Sequence, residues 1–379
     1  MPLPVASEWA VVRKFVVGRR LPARSFVHHV HSLKALTSMK TLLRLSLFLF
    51  LLCPFPFMSP RVASAQDWLS ATAHANHGGS TAFRLLTYNV ENLFDTIDNP
   101  LTLDDDFLPQ GPCAWTRRRF SQKLHGIARV VLDAGGLEPI DVVGLCEVEG
   151  DSVLEALVRH TRLARLGYEY VCASGADARG INVALLYHPL TFRLISHRSL
   201  RVSLPRAAAR PTRDVLLCTG VTLRGDTLDV LQVHFPSRRG GSARSHPFRQ
   251  AAVQTVVAAA DSLRRVRQRC RIVVMGDMNA EADDSALLPL RQAGFTLLSP
   301  TIDRTSGAGG SYFYRGAWSN IDHCLVGGAF RAASSQIFVR DYLLESPAPG
   351  LYKPRRTFLG TVWHGGLSDH LPVLTTLQF

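Results

Sequence analysis

The chain has no CxxC pair and no Cys/His spacing of the zinc-site kind, which leaves no place for a structural zinc built on thiolates. It also has no homopolymer tract, no Gly-x-y period and no repeat of about 20 to 50 residues, so disorder, collagen and solenoid architectures do not fit. Charged residues make up only 19% against 46% hydrophobic, the balance of a globular protein. With 379 residues, the chain can bury a large core without disulfide staples.

An even excess of basic charge is missing as well. The formal charge is +13, but residues 1–65 hold nine Lys or Arg and the single acid Glu8, so they supply +8 of it. The remaining 34 basic and 29 acidic residues leave +5, compatible with a polyanionic substrate and equally with an ordinary basic surface.

The front of the chain is patterned as an export signal. Met39-Lys40 and Arg44 precede the apolar run Leu45 to Phe57, and Ala63-Ser64-Ala65 follows as a small-x-small cleavage site, the three parts of a secretory signal peptide. That run of about 13 residues, broken by Pro54 and Pro56, is too short for the roughly 20 needed to span a bilayer. The reading divides the chain into residues 1–38, an extended leader or a start assigned too early, then a signal peptide over 39–65. A flexible segment over 66–81 and one domain over 82–379 complete it. It places the mature protein in the periplasm or outside the cell. Six cysteines follow the leader; Cys146, Cys218 and Cys324 sit in apolar strand-like runs, so mostly buried thiols and at most one or two bridges are expected.

Apolar runs of strand length recur over Phe83 to Tyr88, Val142 to Cys146, Asn182 to Tyr187, Val215 to Leu223, Leu228 to Phe235, Ile272 to Met275, Ile321 to Val326 and Leu371 to Leu377. Helical spacing joins Phe120, Leu124, Ile127, Ala128 and Val131, then Val153, Leu154 and Leu157, then the Ala-rich stretch from Phe248 to Leu263. Six of the strands end in polar residues: Asn89 and Glu91, Glu147, His234, Asp277 and Asn279, Asp322, and Asp369-His370. Each alone has a bland explanation as a turn former, cap or solvated strand end. Together they would crowd one rim of a sheet, where function concentrates. A carboxylate that closes an apolar run is costly to bury unless it meets a cation. An all-oxygen set of Glu147, Glu91 and Asp369 suits Mg²⁺, with Mn²⁺ or Ca²⁺ as alternatives, rather than zinc.

In order, TYNVEN, GLCEVE, HFPSRR, GDMN, NIDH and SDH resemble the motifs of the endonuclease/exonuclease/phosphatase superfamily, the deoxyribonuclease I-like proteins, and the chain resembles an exported bacterial member. The resemblance covers residues 82–379 and implies an α/β four-layer sandwich, two mixed β-sheets face to face and flanked by helices. It implies Glu147 as principal metal ligand with Glu91, Asp369 and Asn89 near the same ion. Asp277 would orient or deprotonate the attacking water, and Asn279 would donate to a phosphoryl oxygen. His370, oriented by Asp322, would contact the phosphate, and His234 matches a second acid/base histidine. Where many relatives carry an acid in the strand ending at Tyr187, this chain has Asn182, which points His234 toward phosphate binding rather than proton transfer.

Arg238 and Arg239 beside His234, with Arg117 to Arg119, Arg244 and Arg249, are candidates to hold a phosphodiester backbone. The expected activity is Mg²⁺-dependent hydrolysis of DNA or RNA by a monomer with no stable protein partner. The alternative is a lipid or small-molecule headgroup phosphoester, for which the aromatic segment Tyr312-Phe313-Tyr314 with Trp318 is the candidate membrane element.

Overall fold

Two six-stranded mixed sheets stack face to face in the computed structural model, which describes residues 82–205, 208 and 210–379. The readings for 1–38, 39–65 and 66–81 lie outside the described residues. The first sheet runs β13 (Ala332–Ile337), β18 (Val373–Gln378), β1 (Ala82–Leu93), β2 (Val142–Val148), β4 (Asn182–Tyr187) and β3 (Glu169–Cys172). The second runs β5 (Phe192–Leu200), β6 (Val215–Thr222), β7 (Thr227–His234), β8 (Ile272–Asp277), β12 (Asp322–Gly327) and β9 (Thr296–Leu298). Short hairpins β10/β11 (Tyr312–Tyr314, Ala317–Ser319), β14/β15 (Leu344–Ala348, Leu351–Pro354) and β16/β17 (Phe358–Leu359, Val362–Trp363) lie in the connections.

Between the sheets, Leu85, Val142, Cys146, Val183 and Leu185 of the first meet Cys218, Val230, Val273, Met275 and Cys324 of the second in one buried cluster. The outer face of the first sheet is covered by α1 (Arg117–Gly135) and α2 (Asp151–Arg159), that of the second by α3 (Ser242–Val266) and α4 (Leu288–Gln292). Because β2 and β8 are buried on both faces, their sequences read as continuous apolar runs and not as alternation. Helix α1 begins where the Thr116 hydroxyl accepts from the Arg119 amide at 3.4 Å. This four-layer α/β sandwich is the architecture expected from the sequence. All six described cysteines are free, and Cys113, Cys146, Cys218 and Cys324 are buried among core residues. No described helix is long and apolar enough to cross a membrane.

Each sheet has one parallel pair at its centre, and the two pairs position the site. Strands β1 and β2 run parallel with Asn89 opposite Cys146, and β7 and β8 run parallel with His234 opposite Asp277. Asp277 is in turn opposite Asp322 on antiparallel β12, so His234, Asp277 and Asp322 occupy one rung across three strands. Gly276 makes this rung possible: it sits at φ 142°, and a Cβ there would lie 1.9 Å from the Val233 carbonyl oxygen. Gly276→Ala is therefore expected to destabilise the fold by at least about 2 kcal/mol through backbone strain and overpacking. A fall in the urea midpoint at unchanged slope shows it; an unchanged midpoint would mean the rung tolerates a side chain.

Candidate active site

Four site residues depart from ordinary strand geometry. Glu91, Asn92, Glu147 and Asn279 have φ of 50°, 53°, 64° and 49°, a left-handed region in which non-glycine residues cost energy and which clusters at functional sites. The pairing of β1 and β2 shifts register between Asn89 and Leu93, and that of β2 and β4 between Cys146 and Val148. These irregularities turn Glu91 and Glu147 out of the pleat at the C-terminal ends of β1 and β2.

At the second sheet, Asp277 is 2% exposed. One of its oxygens accepts from the Asn279 amide at 2.8 Å and the other from Asn89 Nδ2 at 3.0 Å. That second oxygen lies 3.4 Å from His234 Nε2 and 3.8 Å from His370 Nε2. Burial pushes the Asp277 carboxyl up to about 7. His370 Nδ1 is 2.8 Å from Asp322 Oδ2, which also accepts from the Ser311 hydroxyl at 2.7 Å. Burial works against a charged His370 imidazole, but the Asp322 carboxylate beside it overrides this and raises the group to about 10. His234 goes the other way. It is buried, and burial, together with the positive charges of Arg213, Arg179 and His370, holds it well below the ordinary histidine value.

The first sheet contributes the carboxylates. Glu147 Oε2 accepts from the Asn92 amide at 2.9 Å, and its Oε1 lies 3.8 Å from His234 Nε2. Glu91 is 4% exposed, accepts from the Thr357 amide at 2.7 Å and faces Arg356 at 3.4 Å. Burial, followed by repulsion from Asp369, drives the Glu91 carboxyl up to about 7. Arg356 Nη2 also donates to Asp369 at 3.0 Å. Asn89 ties the halves together, because its Oδ1 accepts from the Glu91 amide while its Nδ2 donates to Asp277. The polar residues read at six strand ends thus form one site. Asp277, Asp322 and His370 each offer one ligand atom within 4.8 Å of the others, a group that could hold a metal ion.

Some candidates take other roles. Asn279 Nδ2 donates to the Phe235 carbonyl at 3.0 Å, and Arg238 Nε donates to the Asn279 carbonyl at 2.9 Å, so Arg238 braces the loop beside the site while Arg239 is exposed. Arg249 is not a backbone-holding residue: it is buried within α3, donates to Ser245 Oγ at 2.8 Å and pairs with Asp284 at 3.6 Å. Arg119 caps its own turn through the Cys113 and Ala114 carbonyls. Asn182 holds the Gly175 amide and the Glu149 carbonyl.

Lys123, Arg356 and Thr357 belong to the site without standing out in the sequence. Lys123 is fully buried on α1, donates to the Glu91 carbonyl and reaches Thr357 Oγ1 at 2.8 Å. Its place on the apolar stripe between Phe120 and Ile127 is the one signal that marks it. Arg356 and Thr357 follow Pro354 in a segment with no periodicity to mark it.

The model of the Endonuclease/Exonuclease/phosphatase family matches residues 84–378. The chain belongs to that family. Its members are divalent-metal-dependent phosphoester hydrolases, and this chain is a phosphoesterase of that general kind. Among curated proteins, none matches the sequence. A family protein from Bacteroides thetaiotaomicron superposes with a TM-score of 0.50 at 15% identity, over 78% of this chain and 94% of that one. A conserved protein of unknown function from Enterococcus faecalis V583 gives 0.50 at 16% identity, over 78% and 99%. TDP2 of D. rerio, solved in complex with single-strand DNA product, gives 0.49 at 14% identity, over 79% and 100%. The two matches at 0.50 share the two-sheet sandwich.

The Asp322 pair has a measurable pH signature. His370 has a higher affinity for its proton in the folded chain than the ordinary histidine value of about 6.5. Its pairing therefore stabilises fully below about pH 6.5 and fades as pH rises toward 10. In EDTA, the stability gap between wild type and Asp322→Asn should be widest near pH 6 and narrow toward pH 10. A gap of constant size would show that the pair carries no charge.

Proposed function

We propose that the protein is an exported, Mg²⁺-dependent nuclease that hydrolyses DNA or RNA phosphodiesters. The observation that carries the chemistry is the single rung of His234, Asp277 and Asp322, closed by His370 and faced by Glu147 and Glu91 from the other sheet. Export rests on the signal-peptide pattern over residues 39–65. Glu147, Glu91 and Asp369 are the residues that would hold the ion. Their fit is an observation of charge: Glu91 is buried and repelled by Asp369, with Arg356 as the side chain that bridges them, a crowding that a hard cation relieves. Asp277, Asp322 and His370 form the tighter cluster, but the Asp322–His370 hydrogen bond and the Asn89 and Asn279 donors already satisfy most of their ligand atoms.

A divalent ion bound there would polarise a phosphoryl oxygen and offset its charge. The chain's own groups supply the rest. Asp277 Oδ2, fixed by Asn89, is the group that orients and accepts a proton from the attacking water. His370, held by Asp322 with Nδ1 engaged, presents Nε2 to the phosphate as a charged donor. His234 stays neutral among Arg213, Arg179 and His370, so it binds rather than shuttles a proton. Its Nδ1 has no hydrogen-bond partner, which supports the same reading.

Glu147→Ala is expected to lower metal-dependent nicking of plasmid at least about 100-fold and to abolish Mn²⁺ binding by calorimetry, with an unchanged circular dichroism spectrum. Full activity in that variant would remove Glu147 from the metal site. His234→Ala should cost a few-fold and His370→Ala several orders of magnitude, on the order of 10³; equal losses would make both histidines proton carriers.

A further inference from the structure

The hairpin β10/β11 sets Phe313 and Trp318, both half-buried, on one face and Tyr312 and Tyr314 on the other, and the tyrosine face leads outward from the catalytic histidine to the exposed Tyr314. Phe313 and Trp318 are cross-strand partners, with rings 5.3 Å apart edge to face, and Trp318 packs against the core cluster of the first sheet. Alternation puts Tyr312 and Tyr314 on the opposite face. Their own cross-strand partners are Ser319 and Ala317, too small to cover a ring. Tyr312 lies 4.6 Å from the His370 ring, Tyr314 lies 6.2 Å from Tyr312 and only 13° from parallel with it, and the Arg315 guanidinium stands 5.3 Å over Tyr314. Tyr314 is 54% exposed.

The backbone that carries this face is hydrogen-bonded directly to the site. Tyr312 forms an isolated β-bridge with His370, the Leu371 amide donates to the Ser311 carbonyl at 2.6 Å, and the Ser311 hydroxyl donates to Asp322. A displacement of the hairpin would therefore displace the Asp322–His370 pair.

We propose that Tyr312 and Tyr314 form a stacking platform for the bases of a single-stranded nucleic acid whose phosphodiester lies at His370, with Arg315 at the far end to meet the backbone charge. The proposal deepens the nuclease reading and rests on it. Nucleic acid fits this surface better than a lipid tail because its apolar element consists of flat rings with hydroxyl tips beside an arginine, while the more apolar pair, the half-buried Phe313 and Trp318, lies on the opposite face, where Trp318 packs against the core of the first sheet. Sequence-tolerant stacking on aromatic rings is how single strands are held.

The test compares kcat/KM for a base-bearing oligodeoxynucleotide with that for a strand of equal length carrying abasic spacers, in Mn²⁺. Stacking contributes about 1–3 kcal/mol per base, so the wild type should prefer the base-bearing strand by about tenfold or more, mostly through KM. Tyr314→Leu should bring the ratio close to one and Tyr314→Trp should restore it, which a merely structural role for the ring would not do. If the wild type cleaves both strands equally, the platform is refuted while phosphodiester hydrolysis stands. If neither strand is cleaved and sphingomyelin in vesicles is, the nuclease reading itself falls and the platform with it.

Discussion

Everything at the functional rim depends on how much negative charge two sheets can hold where their strands end. Asp277, Asp322 and Glu91 are buried, Glu147 and Asp369 lie beside them, and carboxylates removed from water repel one another at considerable cost. The chain meets that cost with fixed donors: the Asn89 amide, the Thr357 amide, the Ser311 hydroxyl, Lys123 and Arg356. These groups reach in from strand β1, from helix α1, from the turn before β10 and from the loop before β16, which explains why segments remote in sequence converge on one place.

The same constraint separates the two histidines. His370 faces Asp322 and Asp277, and the carboxylates hold its proton. His234 sits one strand over against Arg213 and Arg179, and burial with positive charge strips its proton away. Two chemically identical side chains less than a strand's width from the same Asp277 oxygen thus acquire opposite charge preferences, set by the residues behind them. In the proposed mechanism this division makes His370 the charged donor for the phosphate and His234 a neutral binding group, with Asp277 as the anion that handles water.

Much of the fold is legible in the amino-acid sequence. The eight apolar runs form the central strands because burial on both faces leaves no polar alternation to confuse them. The edge strands β3, β5, β9 and β13 leave no such trace, since exposed residues such as Arg193, His197 and Arg198 of β5 read as polar loop. The site residues are visible because a carboxylate or amide directly after an apolar run is unusual. Their bracing partners are not, for Arg356 and Thr357 act from an irregular segment, and the sequence of α3 does not distinguish the buried Arg249 from a surface arginine. The aromatic segment at Tyr312 is in sequence only the candidate membrane element of the alternative reading; its hairpin pairing divides the rings, Phe313 and Trp318 on one face and Tyr312 and Tyr314 on the other.

The central claim is that this rim is a single metal-dependent site for phosphodiester hydrolysis. It is tested most directly by incubating the purified protein with supercoiled plasmid in Mg²⁺, Mn²⁺, Ca²⁺ or EDTA, and in parallel with RNA, sphingomyelin and bis-p-nitrophenyl phosphate. The account predicts nicking of plasmid that requires a divalent ion and stops in EDTA. Failure to cleave any of these esters with any ion, or cleavage that persists in EDTA, would contradict it.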